Sequence, residues 1–227
     1  MVAGLAARGD PKFATMLRAA TRDADTSIQR SALRGLVEMG DEESVQALGE
    51  LVKAAGSDDR AFAVELLSAR ADPDATRLLE SLATDADVQV SSSALSALQT
   101  RAPELAARLA KQAFQAASAE DRTTLLSSLD SLPRHLTLPI FDLALQGPDD
   151  ALATSAVSSL ADRPSPEGAQ RLLAIALDAS RSQEVRSAAA VALRSMGGPV
   201  ARANRSLLDT LQAPEATEAY VCEARKE

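Results

Sequence analysis

The chain has 227 residues and a formal net charge of -8, and 46% of it is hydrophobic while only 2% is aromatic. With no Trp, one Tyr and four Phe, it cannot fill a thick core with rings, and its dominant Ala and Leu favour helix over strand. No apolar run approaches the roughly 20 residues that span a bilayer, and Cys222, the single cysteine, excludes an internal disulfide framework or a multi-cysteine metal site and fits a reducing cytosol.

One pattern recurs along the chain. Val2 to Asp10 aligns with Leu33 to Asp41, 31 residues on, so the sequence is expected to start half-way through a helix, as a partial repeat 1–9 of a fragment of a longer protein. The first full unit, about 10–40, opens on Asp10-Pro11. Here Asp serves as N-cap and Pro sits in the first turn, where its missing N–H costs nothing. Its second half holds Ile28-Gln29-Arg30-Ser31-Ala32-Leu33-Arg34-Gly35-Leu36, with apolar residues at the first, fifth, sixth and ninth places. Such spacing falls within about 140° of a helix, so each copy is a helix with one buried face.

The same slots return at steps of 31 residues in Ala63, Val64 and Leu67 (unit 41–71), then in Val90, Ala94, Leu95 and Leu98 (unit 72–102). Leu125, Leu126 and Leu129 hold them in unit 103–133, and Leu152, Ala156, Val157 and Leu160 in unit 134–164. The step then loosens to 33 for Val185, Ala189, Ala190 and Leu193 (unit 165–198) and to 32 for Thr217, Val221, Cys222 and Arg225 (unit 199–227). A first helix precedes each second one, marked by Leu17, Leu48 and Leu79 and by Leu51 and Leu82. Asp72-Pro73 repeats the Asp10-Pro11 start, while Gly40-Asp41, Gly56, Gly147-Pro148 and Gly197-Gly198-Pro199 are expected to close helices. Pro133 and Pro139 should disrupt or delay the first helix of their unit and bend the stack. The polar segment Glu215 to Glu227, with Arg225 in a Leu slot, suits a terminal cap.

Neither helix of such a unit buries its face alone, so the units must stack. The expected fold is all-α, an α-solenoid or superhelix of antiparallel helix pairs, as one solenoid over 1–227. A long coiled coil is the alternative for an Ala-rich periodic chain, but heptads would not reset every 31 residues at fixed Asp, Pro and Gly.

Asp23-Ala24-Asp25-Thr26-Ser27-Ile28-Gln29-Arg30-Ser31-Ala32-Leu33 with Gly40-Asp41, and Gln183-Glu184-Val185-Arg186-Ser187-Ala188-Ala189-Ala190-Val191-Ala192-Leu193, resemble the HEAT-repeat family. The likeness is to its short bacterial version, found also in bilin-lyase-type proteins, and it covers nearly the whole chain. It implies a HEAT-like solenoid and says little of activity, since that family is mostly a binding scaffold. The resemblance also implies a ladder of turn Asp to helix Arg between neighbouring repeats. Asp23 and Asp85 hold the Asp place and Arg60, Arg122 and Arg186 the Arg place. Asp23 to Arg60 and Asp85 to Arg122, each 37 residues apart, are the expected bridges.

Catalytic constellations are scarce. His135, the only histidine, rules out a two-histidine metal site or relay, and its place in Pro133-Arg134-His135-Leu136 is that of a turn residue. Cys222 falls in a core slot, as an inert small hydrophobe. Acidic pairs Asp58-Asp59 and Asp149-Asp150 precede second helices, where carboxylates cap N–H groups and favour the dipole. No P-loop, G-x-G-x-x-G or H-E-x-x-H is present. No catalytic, cofactor or metal residue is therefore named, and the chain is expected not to be an enzyme.

In the family the second helices line the concave side. The positions there that lie off the core give Arg30 and Arg34, then Phe62 and Glu65, Ser92 and Ser96, Thr123 and Ser127, and Thr154 and Ser158. A face charged at one end and rich in hydroxyls in the middle suits a helix or extended peptide lying close, with Phe62 as a possible anchor; a plain solvated face is the competing reading. The expectation is a cytoplasmic scaffold or adaptor, a monomeric module of a larger chain that binds a protein or peptide, without cofactor, nucleic acid or membrane. The acidic balance opposes a phosphate backbone. Two alternatives rest on repeat type: a bilin-lyase-like subunit or pigment-protein chaperone, and a HEAT-like DNA glycosylase, for which the groove lacks Trp and Tyr.

Overall fold

The structure is a computed structural model that describes residues 11–53, 56–129 and 131–210. All secondary structure among them is helical. Two compact units divide the chain, the first comprising residues up to 117 with 128–133, the second 118–127 with the residues from 134 on.

In the first unit the helices are α1 (Pro11–Ala20), α2 (Thr26–Glu38), α3 (Glu43–Val52), α4 (Ser57–Ser68), α5 (Pro73–Leu82), α6 (Val88–Gln99) and α7 (Pro103–Ala116). Each even-numbered helix packs on the one before it, α3 stacks on α5, and α4 on α6. In the second unit α8 (Ala119–Ser127), α9 (Arg134–Gln146), α10 (Asp150–Asp162), α11 (Pro166–Leu177) and α12 (Gln183–Met196) lead to the short α13 (Gly198–Ala203) and α14 (Arg205–Thr210). There α8, α10 and α12 stack in succession, while α9 packs on α10 and α11 on α12. Each unit is thus an α-solenoid stack of antiparallel helix pairs.

Local chemistry explains the helix limits. Asp72 accepts the N–H of Ala75 at 2.8 Å with Pro73 in the first turn, Asp87 accepts from Gln89 and Val90, and Asp149 from Leu152. Ser165 and Ser182 do the same with hydroxyl oxygens for Gly168 and Val185. Each supplies an acceptor to an N–H that the helix leaves open. Gly40, at φ +71°, ends α2: its N–H reaches the carbonyl of Val37 and that of Asp41 the carbonyl of Leu36. These two bonds form a Schellman motif, which needs the left-handed conformation that glycine adopts without strain. Gly56 does not close a helix, contrary to expectation. It is the N-cap residue of α4, with extended backbone angles.

The core follows the repeated slots. Ala32, Ala63, Ala94, Ala156 and Ala189 are sealed from solvent, as are Leu67, Leu95, Leu98, Leu160 and Leu193. Alanine there lets neighbouring helix axes approach toward the lower end of the usual ~8–10 Å. Ile28 departs from the pattern: it is 39% exposed, whereas Val90 in the same slot is 1% exposed. Ile28 lies in the first turn of α2, where the buried side of the helix begins only at Ala32 and Leu33. Pro139 does not break its helix. The helix α9 runs from Arg134 to Gln146 with Pro139 inside it, on the exposed side, while Thr137, Leu138, Ile140 and Phe141 are buried. Burial of that face compensates for the hydrogen bond that proline cannot make. The Asp10 cap, the opening half-helix, Cys222 and the segment 215–227 lie outside the described residues.

Candidate functional site

The second helices of the first unit place their off-core residues as follows. Arg30 and Arg34, one turn apart on α2, reach α4: Arg30 bonds Asp59 at 2.7 Å and Arg34 bonds Glu65 at 2.7 Å. Between these bridges the Phe62 ring lies under both guanidinium groups, 5.2 and 5.6 Å from its centroid. Phe62 is only 8% exposed, so it is no open anchor for a partner. It is the floor of a cation–π pair, because two arginines held by acidic residues cover its face. Asp59 therefore serves a bridge between helices as well as the start of α4, where the sequence suggested capping alone.

Along α6, Ser96 is exposed, but Ser92 is buried and donates its hydroxyl to the carbonyl of Gln89. In the second unit Ser127 donates to Thr123 O at 3.1 Å and Ser158 to Thr154 O at 3.2 Å. The hydroxyl protons of Ser92, Ser127 and Ser158 are thus engaged with their own helices, which leaves lone pairs rather than donors at those three places.

The acid–arginine ladder takes a different register from the expected one. Asp85 accepts two bonds from Arg60, at 2.7 and 2.9 Å, 25 residues back. Its expected partner was Arg122, 37 residues on. Asp23, expected opposite Arg60, accepts the N–H of Asp25. The stacking of α4 on α6 explains the change: the first turn of α4 faces the turn that precedes α6, where Asp85 lies. Burial would push the Asp85 carboxyl up, but Arg60 and the N–H of Asp87 together hold it below its ordinary value. Asp41 raises the Arg18 guanidinium in a similar contact, with Glu43 also 3.1 Å from Arg18, and Asp142 raises Arg171 in the second unit.

A further set of arginines was not named from the sequence. Arg101 donates to the carbonyls of Leu67 and Ser68 at the end of α4. Arg70 donates to Asp41 O at 3.1 Å and to the Ser44 hydroxyl at 2.9 Å, and also binds Asp72. In the second unit Arg134 reaches the carbonyls of Ser159, Leu160 and Arg163 at the end of α10, and Arg181 that of Gly147 at the end of α9. The guanidinium groups of Arg101, Arg134 and Arg181 satisfy carbonyls that a helix end leaves open and meet the negative end of its dipole, whereas Arg70 ties down the start of α3. A 31-residue spacing between Arg70 and Arg101 was the available signal.

Two depressions open on the first unit. A cleft of about 560 Å³ lies among α1 to α4, with Leu33, Leu51 and Phe62 below and Arg22, Arg30 and Glu43 among its polar residues. A groove of about 480 Å³ runs between α4 and α6, lined by Val64, Glu65, Ser93 and Ser96 among others. Among the described residues no three His, Cys, Asp or Glu side chains gather as a metal-binding group, and no helix is long and apolar enough to cross a membrane. His135 is exposed in the first turn of α9.

No family model and no curated protein matches the chain. Among solved structures it is similar to human deoxyhypusine hydroxylase in complex with glycerol, at 17% identity and a TM-score of 0.42, over 98% of this chain and 86% of that one. The expectation that the chain is not an enzyme is corrected by this comparison. The solved structure it is similar to is of a hydroxylase, and a repeat architecture is in itself no ground for excluding catalysis. At that identity and score the likeness assigns this chain neither an activity nor a site.

Proposed function

We propose that this chain is a HEAT-type repeat module that binds a partner protein or peptide on the face formed by its second helices. The observation that carries the reading is the groove of the first unit between α4 and α6, lined by residues of those two second helices; the neighbouring cleft takes residues from α2 and α4 and also from the first helices α1 and α3. Helix pairs that stack leave such furrows at every step, and a partner segment laid across them meets several repeats at once. The bridges Arg30–Asp59 and Arg34–Glu65 hold α2 and α4 in register, so the face is formed before a partner arrives and little ordering cost falls on binding.

Photo-crosslinking in the cells that make the protein tests the reading. A photoreactive residue is placed in turn at Ser31, Ala61, Ser93 and Ser96 on second helices, and at Met16, Arg77 and Arg108 on first helices, all exposed. Adducts with one partner protein are expected from the second-helix set. Equal labelling from both sets, or none from the second-helix set, refutes the proposal.

A further inference from the structure

The two seams between second helices of the first unit are held in different ways. Between α2 and α4 the pairs Arg30–Asp59 and Arg34–Glu65 cross the surface of the seam. The places 31 residues on are Ala61 with Val90 and Glu65 with Ser96, which cannot repeat those ion pairs between α4 and α6. That seam is instead tied at its two ends. At one end Arg60, next to the first groove residue of α4, gives two bonds at 2.7 and 2.9 Å to Asp85 in the turn that leads into α6. At the other end Arg101, one turn beyond Ala97, donates from Nη1 and Nη2 to the Leu67 carbonyl at 3.2 Å. Its Nη2 also donates to the carbonyl of Ser68, the last groove residue of α4. Between the ties the groove is lined mostly by Ala and Ser, whose short side chains supply few dispersion contacts across the seam. Two helices tied at one end can splay at the other, so both ties are needed to keep the groove at one width.

We propose that Arg101 is a positioning residue of this groove: it fixes the separation of α4 and α6 at their C-terminal ends. Partner affinity then depends on Arg101, although its guanidinium is engaged by Leu67 and Ser68 and need not touch the partner. The inference rests on the peptide-binding reading above and names what keeps that face ready. A planar guanidinium spans two successive carbonyls at once, which the single ammonium of a lysine on its flexible stem does less well. A groove already set at its bound width takes a partner without the entropy loss of ordering two helices.

Nitroxide labels in a Cys222→Ser chain report the two ends by electron paramagnetic resonance. One pair, Ala69→Cys with Thr100→Cys, lies beside the Arg101 tie and the other, Asp58→Cys with Gln89→Cys, beside the Arg60–Asp85 tie, all four places being exposed. Arg101→Gln should broaden the first distance distribution about twofold and leave the second as it is, Asp85→Asn should do the reverse, and Arg101→Lys should fall between the parent and Arg101→Gln. In the photo-crosslinking of the full chain, adducts from Ser93 and Ser96 should drop about fivefold in Arg101→Gln. Arg70→Gln removes the guanidinium one repeat back, whose partners are Asp41, Ser44 and Asp72. It should lower the melting temperature comparably while both distances and the adducts stay as in the parent. Unchanged distances in Arg101→Gln, or adducts that Arg70→Gln lowers as far as Arg101→Gln does, overturn the inference. Parent adducts that survive Arg101→Gln intact overturn it alone, and a parent chain without adducts overturns the binding reading and this inference together.

Discussion

Leu95→Ala is the sharpest probe of the repeated core. Leu95 sits in α6 with 0% exposure, and α6 is packed by α4, α5 and α7. Truncation removes three carbons, worth about 2.4 kcal/mol at ~0.8 kcal/mol per buried methylene. A residual cavity adds more where neighbours cannot close in. The flanking slots hold Ala94 and Leu98, both at 0% exposure, and the three helices packed on α6 limit collapse. A loss of about 3–4 kcal/mol is expected, the middle of the range for buried leucines. The companion change Ile28→Ala removes as many carbons from a side chain that is 39% exposed. Water fills that space and alanine gains in helix propensity, so a loss of about 1 kcal/mol or less is expected there. Urea titration followed by far-UV circular dichroism measures both. With a slope of about 1–3 kcal/mol/M, Leu95→Ala should lower the midpoint by roughly 1–4 M at unchanged slope. Equal losses from the two variants would refute the argument that burial, rather than slot position, sets the cost.

Gly40→Ala should cost about 1 kcal/mol, because Gly40 holds φ +71° and the methyl group strains that conformation; a melting temperature equal to the parent's would count against the Schellman reading. Pro139→Ala should raise stability by about 1–2 kcal/mol in a thermal melt, since α9 is continuous through Pro139 and alanine restores a backbone donor, less the entropy that proline removes from the unfolded chain. The carboxyls of Asp72 and Asp85 lie below their ordinary value, so between the folded and unfolded values the unfolded chain binds more protons. Their stabilisation is therefore complete above the unfolded value of about 3.9 and drains away as pH falls below it through the folded values. Asp85→Asn should flatten that acid limb in urea melts between pH 5 and 2 relative to the parent; an unchanged limb would remove the Arg60 pair from the account.

Helix positions, the paired units and most of the buried slots were legible in the sequence, because each depends on contacts within one helix or on a residue's nearest turn. Asp72-Pro73 names its own cap, Gly40 its own turn, and the Ala and Leu slots point one way on any helix built from them. What remained hidden depends on which helix end faces which. Asp85 could not be assigned to Arg60 over Arg122 from spacing alone, since both choices put an acid and a cation one repeat apart. Phe62 sits at an off-core place in sequence and is nonetheless buried, with Arg30 and Arg34 reaching over its ring from α2. Arg101 finds its carbonyl partners on α4, a helix 33–34 residues back. The sequence by itself determined the repeating helix and its buried face, which are properties of local geometry. Only the tertiary structure decided the pairing of long, flexible charged side chains, because their several ångströms of reach span more than one neighbour and the packing of helix ends selects among them.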